Sequence, residues 1–118
     1  MPGTESASRG FPQAQRLKRP EEFRRVFDQG SKAVGRFFVV FARPVDGGPA
    51  RLGVAVSRKV GNAVRRNRIK RVIREEFRQA CGLGRRELVV VARTSAANAG
   101  RDELVRDLRS LWKRVSHA

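Results

Sequence analysis

The sequence is poor in the residues that build disulfides, zinc sites and many catalytic centres. Its 118 residues include one cysteine (Cys81), one histidine (His117) and no tyrosine. A lone cysteine cannot close an internal disulfide, and these two residues cannot supply the ligands of a structural zinc site. A Cys–His catalytic pair would require the terminal His117 to fold back, although chain ends are usually poorly ordered. We therefore expect no metal-ligating and no catalytic residue in this chain.

Long apolar segments are also absent. The longest run, at residues 37–42, is far shorter than the roughly 20 residues that a membrane-spanning helix needs. The first fifteen residues contain no apolar run that could form the centre of a secretory signal. These absences predict a cytoplasmic protein with no membrane partner.

Negative charge is scarce, whereas positive charge is abundant. The chain has 27 Lys and Arg against 11 Asp and Glu, which gives a formal net charge of +16. An imbalance of this size indicates a polyanionic partner. A hydrophobic share of 40% is enough for a folded core, and the length fits one domain. We expect a flexible extension at residues 1–14 and one folded domain at residues 15–118.

Three helices are predicted from capping residues and apolar spacing. The first, Pro20–Gln29, begins with a proline and two acids and ends at Gly30. The second runs from a cap at Asn62 to about residue 80, and the third begins at about residue 101.

The strands are predicted at residues 32–34, 36–43, 52–56 and 88–92. The second and third of these are expected to pair antiparallel across the turn at residues 46–49. Gly53 and Ala55 give the third strand a face of small residues, which predicts that a helix or a ligand approaches it closely. The element order is then αβββαβα, a single-domain α+β sandwich in which helices pack on a small sheet.

The segment 58–78 carries the densest charge, with nine basic residues against two glutamates. At 100° per residue, the second helix separates into an apolar face and a cationic face. No acid stands between Asn62 and Arg74, so repulsion between neighbouring cations calls for an external partner. Arginine, which donates bidentate hydrogen bonds to phosphate, dominates the run. The apolar face has Ile69, Val72, Ile73, Phe77 and Ala80, and the cationic face has Asn67, Arg68, Lys70, Arg71, Arg74 and Arg78.

Charge alone leaves several interpretations open. The cationic face could be a solvated surface, or it could belong to a ribosomal or general structured-RNA-binding protein. A DNA-binding domain could place Asn67 and Arg68 against bases in a major groove, although the broad cationic arc suits an irregular RNA surface better. A stand-alone nuclease is not supported, because the chain offers no poised pair of carboxylates, activated nucleophile or metal-ligand cluster.

The run from Lys59 to Arg71, KVGNAVRRNRIKR, continuing to Arg74 and Glu75, resembles the signature of the bacterial ribonuclease P protein component. Leu17-Lys18-Arg19, Phe23, Phe27 and Gly30 resemble the first helix of that family, and GVAVS at residues 53–57 its strand before the signature. The resemblance extends over residues 16–112. It implies the αβββαβα fold with a mixed sheet and a left-handed βαβ crossover. It also implies an RNA subunit that uses magnesium ions to remove the 5′ leader of precursor tRNA. The chain would bind both RNAs, and no further protein partner is expected.

The resemblance implies two RNA-binding surfaces. Phe41 stands where many relatives have tyrosine, so stacking is retained there without a hydroxyl. Packing is the alternative role of the phenylalanines, and it is favoured for Phe23. The surface for the RNA subunit would comprise Asn62, Arg65, Arg66, Asn67, Arg68, Lys70, Arg71 and Arg74. A cleft for the single-stranded leader would be lined by Phe23, Phe27 and Phe41, with Lys32, Arg36 and Lys59 as phosphate contacts.

Overall fold

The computed structural model describes residues 16–80 and 83–116. Its elements follow the predicted order: α1 (Pro20–Gln29), β1 (Ser31–Val34), β2 (Phe38–Pro44), β3 (Arg51–Ala55), α2 (Ala63–Gln79), β4 (Arg86–Ala92) and α3 (Arg101–Ser116). Short 3-10 turns at Arg58–Val60 and Thr94–Asn98 connect β3 to α2 and β4 to α3. The predicted extension at residues 1–14, Cys81 and His117 lie outside the described residues. Among the described helices, none has the length and apolar character that crossing a membrane demands.

The four strands form a mixed sheet in the order β1-β2-β4-β3. The predicted antiparallel pairing of β2 with β3 is wrong, because β4 lies between them, antiparallel to β2 and parallel to β3. Leu88, Val89 and Val90 of β4 are completely buried, so this strand needs cover on both faces and takes a central position. The parallel strands β3 and β4 are joined through α2, and the hand of this crossover remains a prediction.

The main hydrophobic core lies on the sheet face that α2 and α3 cover. The predicted apolar face of α2 is confirmed, because its four large side chains are buried against this sheet face and Ala80, at the helix end, is half-buried beside them. Each fully buried aliphatic or aromatic side chain contributes about 1.5–3 kcal/mol relative to its exposed state. The largest of the fully buried side chains are Phe38, Leu52, Ile69, Ile73, Leu88, Leu104, Leu108 and Leu111.

The opposite sheet face carries α1 and a smaller apolar cluster. Val26 and Leu17 are buried against Val89, and Phe23 and Phe41 pack around them. A β-carbon at Gly53 would lie 2.7 Å from Cζ of Phe23. The predicted close approach to the small face of β3 is therefore confirmed, and the approaching element is α1.

The hairpin between β1 and β2 is fixed to α3 by one carboxylate. Asp107 accepts hydrogen bonds from the backbone N–H groups of Arg36, Phe37 and Phe38, at 3.1, 2.9 and 3.2 Å. Gly35 leaves the room for this contact, since a β-carbon there would lie 2.7 Å from the same carboxylate. Asp107 thus fixes the turn in which β1 ends and β2 begins.

Candidate nucleic-acid interface

The start of α2 is defined by three consecutive features. Gly61 has φ of 157°, a backbone conformation that favours glycine, and a β-carbon there would lie 2.8 Å from Cδ of Arg65. The Asn62 side chain then accepts a hydrogen bond from the backbone N–H of Arg65 at 2.9 Å, which confirms the predicted cap. Nε of Arg66 donates to the Gly61 carbonyl at 3.1 Å. The basic residues of the first turn are thereby held at the positive end of the helix dipole.

The solvent side of α2 forms a continuous positively charged surface, which we call the cationic ridge. Asn62, Arg65, Asn67, Arg68 and Arg71 are exposed, whereas the other members are half-buried at its margins. The structure thus brings together all eight residues predicted to face an RNA subunit. The ridge consists of Asn62, Arg65, Arg66, Asn67, Arg68, Lys70, Arg71 and Arg74.

The two glutamates of α2 do not neutralise the ridge. Glu75 pairs with Arg101 at 3.0 Å, and Glu76 pairs with Arg109 at 2.9 Å. Both partners are on α3, so these carboxylates point across the helix pair. None of the five ion pairs found within residues 16–80 and 83–116 includes a ridge residue. The positive charge of the ridge is therefore available to an external anion.

At the C-terminal end of the ridge, Arg74 lies close to Arg16, which comes from the segment before α1. Partial burial and the positive charge of Arg16 together lower the pKa of the Arg74 guanidinium below its ordinary value. The Arg74 guanidinium nevertheless stays charged near neutral pH, because arginine titrates only at very high pH. Arg16 was not among the predicted site residues. Its position depends on its bridge to Leu52, a long-range contact with no local signal.

On the other sheet face, α1 and the strands bring together three of the predicted cleft residues. The Phe27 and Phe41 rings meet edge to face, with centroids 4.8 Å apart and planes at 84°. Phe27 is 40% exposed, although it lies on the apolar side of α1. Nζ of Lys32 lies 5.9 Å from the Phe41 ring centroid. An exposed aromatic edge thus stands beside a cation at the margin of α1.

The remaining predicted cleft residues are distributed differently. Phe23 is half-buried against Gly53, in agreement with a packing role. The Arg36 guanidinium lies 5.2 Å from the centroid of Phe37, on the side of the hairpin that faces α3. Arg36 is therefore not part of the group around Phe41, because Phe37 turns into the main core and Arg36 stacks on it. Lys59 is exposed in the turn that follows β3.

A row of small apolar side chains lies on the same sheet face, next to the Phe27–Phe41 pair. Val34, Val39, Val91 and Ala55 are cross-strand neighbours and share the sheet face of Phe41. Val34 is 45% exposed, and the other three are half-buried. Sequence reasoning missed this row, because it requires knowing that β4 separates β2 from β3. The Phe27–Phe41 pair, Lys32 and this row together form what we call the aromatic cleft.

The interface offers electrostatic and stacking contacts. No group of three or more His, Cys, Asp or Glu side chains is brought together in the described part of the chain. The cationic ridge matches the phosphate backbone of a nucleic acid, and the aromatic cleft matches unpaired bases.

Comparison with known proteins identifies the family. A model of the ribonuclease P family, described as "Ribonuclease P", matches residues 11–116. The ribonuclease P protein component of Methylococcus capsulatus is 44% identical over 105 residues, which cover 87% of this chain and 82% of that protein. That of Halalkalibacterium halodurans is 43% identical over 101 residues, covering 82% of each chain.

Solved structures agree with the sequence matches. The RNase P protein of Staphylococcus aureus superposes with a TM-score of 0.80 at 33% identity, covering 86% of this chain and 95% of that one. The RNase P protein of Thermotoga maritima superposes with a TM-score of 0.76 at 32% identity, covering 85% and 96%. The family similarity first seen in the α2 signature thus extends over nearly the whole chain, and this chain belongs to the ribonuclease P protein component family.

Proposed function

We propose that this chain is the protein subunit of ribonuclease P and binds two RNAs at once. The cationic ridge would bind the RNA subunit, and the aromatic cleft would bind the 5′ leader of precursor tRNA. Membership of the family gives the chain a role in tRNA processing by ribonuclease P. The alternative of a general RNA-binding protein is not favoured, because the family match extends over residues 11–116.

The observation that carries the proposal is the uncompensated charge of the ridge. Its arginines stand on one helix, whose own two glutamates are paired with α3. Repulsion among these cations is relieved when phosphates come between them, and binding releases counterions from the RNA. The fork of each guanidinium can hold a phosphate through two hydrogen bonds.

The aromatic cleft supports the assignment of the leader. Unpaired bases stack on aromatic side chains with about 1–3 kcal/mol per base, and this contact tolerates sequence changes. Phe27 and Phe41 supply the aromatic surface, and Lys32 stands beside it for a phosphate. A cleft of this kind accepts single strands of many sequences, which a processor of different leaders requires.

Bond cleavage belongs to the RNA subunit in this proposal. The carboxylates of α2 and the sheet are paired with arginines, so these side chains do not form a set that would hold a divalent cation. We assign the magnesium ions to the RNA subunit and place no catalytic residue on the protein. The proposal further places the complex in the cytoplasm and requires no other protein.

Reconstitution tests this function. The purified chain alone should leave precursor tRNA intact. Added to a ribonuclease P RNA at moderate magnesium concentration, it should restore cleavage at the 5′ end of the mature sequence. Cleavage by the chain alone would contradict the proposal, and so would an RNA-catalysed rate that is unchanged by the protein.

A further inference from the structure

A buried carboxylate lies near the start of β4, on the sheet face that supports α1. Glu87 of β4 is 6% exposed and stands between Arg43 of β2 and Arg51 of β3, its cross-strand neighbours. Its two oxygens accept hydrogen bonds from Nη1 of Arg43 at 2.8 Å and Nη1 of Arg51 at 3.1 Å. One carboxylate thus orients two arginines from two different strands.

Both arginines continue from Glu87 to α1. Nη2 of Arg51 donates to Oε2 of Glu22, in the first turn of the helix, at 2.8 Å. Nε of Arg43 donates to Oε1 of Gln29, the last residue of the helix, at 2.8 Å. The helix is therefore held to the sheet near both of its ends, and Glu87 is the group that the two attachments share. We call Glu87, Arg43, Arg51, Glu22 and Gln29 the polar clamp.

We propose that Glu87 is a positioning residue for leader binding, because the polar clamp sets where α1 lies on the sheet and hence where Phe27 stands beside Phe41. This inference rests on the proposed function of the aromatic cleft. It adds a group of residues, outside both the ridge and the cleft, that positions the aromatic rings of the cleft.

The size of α1 explains why a clamp is needed. The helix has 10 residues, a length at which isolated helices are marginal in water. The apolar contacts of the helix with the sheet are those of Val26 and Phe23 with Val89 and Gly53. This cluster is much smaller than the main core. Phe27 remains 40% exposed, so burial alone does not fix its position. Directional hydrogen bonds from the two guanidinium groups to Glu22 and Gln29 supply the missing constraint.

Removing the charge of Glu87 would release both attachments together. In Glu87→Gln, the side chain keeps its size, but Arg43 and Arg51 lose their shared anionic partner. Arg43 would then lose its ion pair and turn to solvent to regain hydration, since an unpaired charge is costly to keep in a half-buried site. Arg51 would keep Glu22 but lose the carboxylate that orients it from the sheet. Glu22 and Gln29 would lose their oriented partners at the same time.

Glu76→Gln is the matched control. Glu76 is also a buried carboxylate, 4% exposed, and pairs with a single arginine, Arg109, between α2 and α3. Its loss should destabilise the fold without touching α1 or the cleft. The two variants thus separate a general loss of stability from a displaced helix.

The experiment compares the wild-type chain with Glu87→Gln, Glu76→Gln and Phe27→Ala. Amide hydrogen exchange reports the order of α1. Binding of precursor tRNA relative to mature tRNA by the reconstituted holoenzyme reports the cleft, and binding of the RNA subunit serves as reference. In Glu87→Gln, we expect exchange in α1 to accelerate and the preference for precursor to fall, each about tenfold, while affinity for the RNA subunit is unchanged. Glu76→Gln should change neither α1 exchange nor the precursor preference.

Each other outcome overturns the inference in a recognisable way. Exchange in α1 that is the same in Glu87→Gln and Glu76→Gln means that the clamp does not hold the helix. Accelerated exchange with an unchanged precursor preference means that the helix position does not govern the cleft, provided that Phe27→Ala lowers the preference. If Phe27→Ala has no effect either, the cleft does not bind the leader, and the proposed function fails at that surface.

Discussion

Asp107 accepts hydrogen bonds from three consecutive backbone N–H groups, and four of the glutamates pair with arginines of neighbouring elements. Most of these contacts join residues that are distant in sequence. In a chain with only 11 acids, such a use of carboxylates has a direct consequence for the surface. The two acids of α2, Glu75 and Glu76, pair with α3 and therefore do not neutralise the ridge on their own helix.

Replacement of Asp107 by alanine should lower the free energy of unfolding by on the order of 3 kcal/mol, because three N–H groups lose a charged acceptor. Denaturant titration of the purified chain measures this change. Asp102→Ala is the control on the same helix, where loss of an exposed acid near the helix start should cost about 0.3–1 kcal/mol. Equal losses in the two variants would contradict the assigned role of Asp107.

The lowered pKa of Glu22 makes the stability of the fold depend on pH. Hydrogen bonds from the backbone N–H groups of Lys18 and Arg19, with a further contribution from Arg51, lower the pKa of Glu22 from 4.5 to about 2. The unfolded chain therefore binds more protons than the folded chain between these values, so stability rises with pH through this window. The contribution of Glu22 is complete above about pH 4.5 and is lost as the pH falls to about 2.

Denaturant titrations of wild type and Glu22→Gln at several pH values test this dependence. The advantage of the wild type should be constant above pH 5 and should shrink steadily toward pH 2. An advantage that does not change with pH would show that the charge of Glu22 does not act in the folded state.

At the scale of elements, local signals predicted the helices well. Pro20, the two acids after it and Gly30 mark α1, and Asn62 marks the start of α2. These signals act within one turn of the chain, so they are readable without knowledge of the fold. The eight residues of the ridge follow from helical spacing on α2 and from the family resemblance.

The strand order could not be predicted in the same way. The Phe and Val content of residues 36–43 and the alternation in residues 52–56 predict that both segments are strands, but neither signal says which strand lies between them. The informative signal was the apolar run at residues 88–92, which is typical of a central strand. The apolar row from Val34 to Ala55 and the polar clamp depend on that order, so sequence reasoning missed both.

The ridge should contribute phosphate contacts that can be counted. Removing Arg66 and Arg68 together by alanine substitution should weaken binding to the RNA subunit. It should also reduce the slope of log affinity against log salt by about 2, one for each phosphate contact. Salt titrations of binding measure this slope. A variant with Arg106 and Lys113 replaced by alanine removes the same charge from α3 and should retain the wild-type slope.

The cleft should act on the substrate and leave the RNA subunit bound. Phe27→Ala should reduce the preference for precursor over mature tRNA by about 1–3 kcal/mol, the contribution of one stacked base. Phe37→Leu, which alters a buried core ring, is the control for stability, and it should leave the preference unchanged. If Phe27→Ala and the double arginine variant have the same effects on both RNAs, the two surfaces are not distinct.

At the scale of the whole molecule, the sheet separates the two surfaces. Helix α1 and the aromatic cleft lie on one face, whereas α2 and α3 cover the other. The chain passes between these faces in the turn after β3, where Lys59 is exposed. Under the proposed function, this arrangement would let one small domain contact the RNA subunit and the leader at the same time, and a net charge of +16 would favour both contacts.

Site-specific crosslinking in the reconstituted holoenzyme with precursor tRNA tests this division most directly. A photoreactive group at position 66 should crosslink to the RNA subunit, and one at position 27 should crosslink to the 5′ leader. A probe at position 27 that reacts only with the RNA subunit, or a probe at position 66 that reacts with neither RNA, would contradict the account.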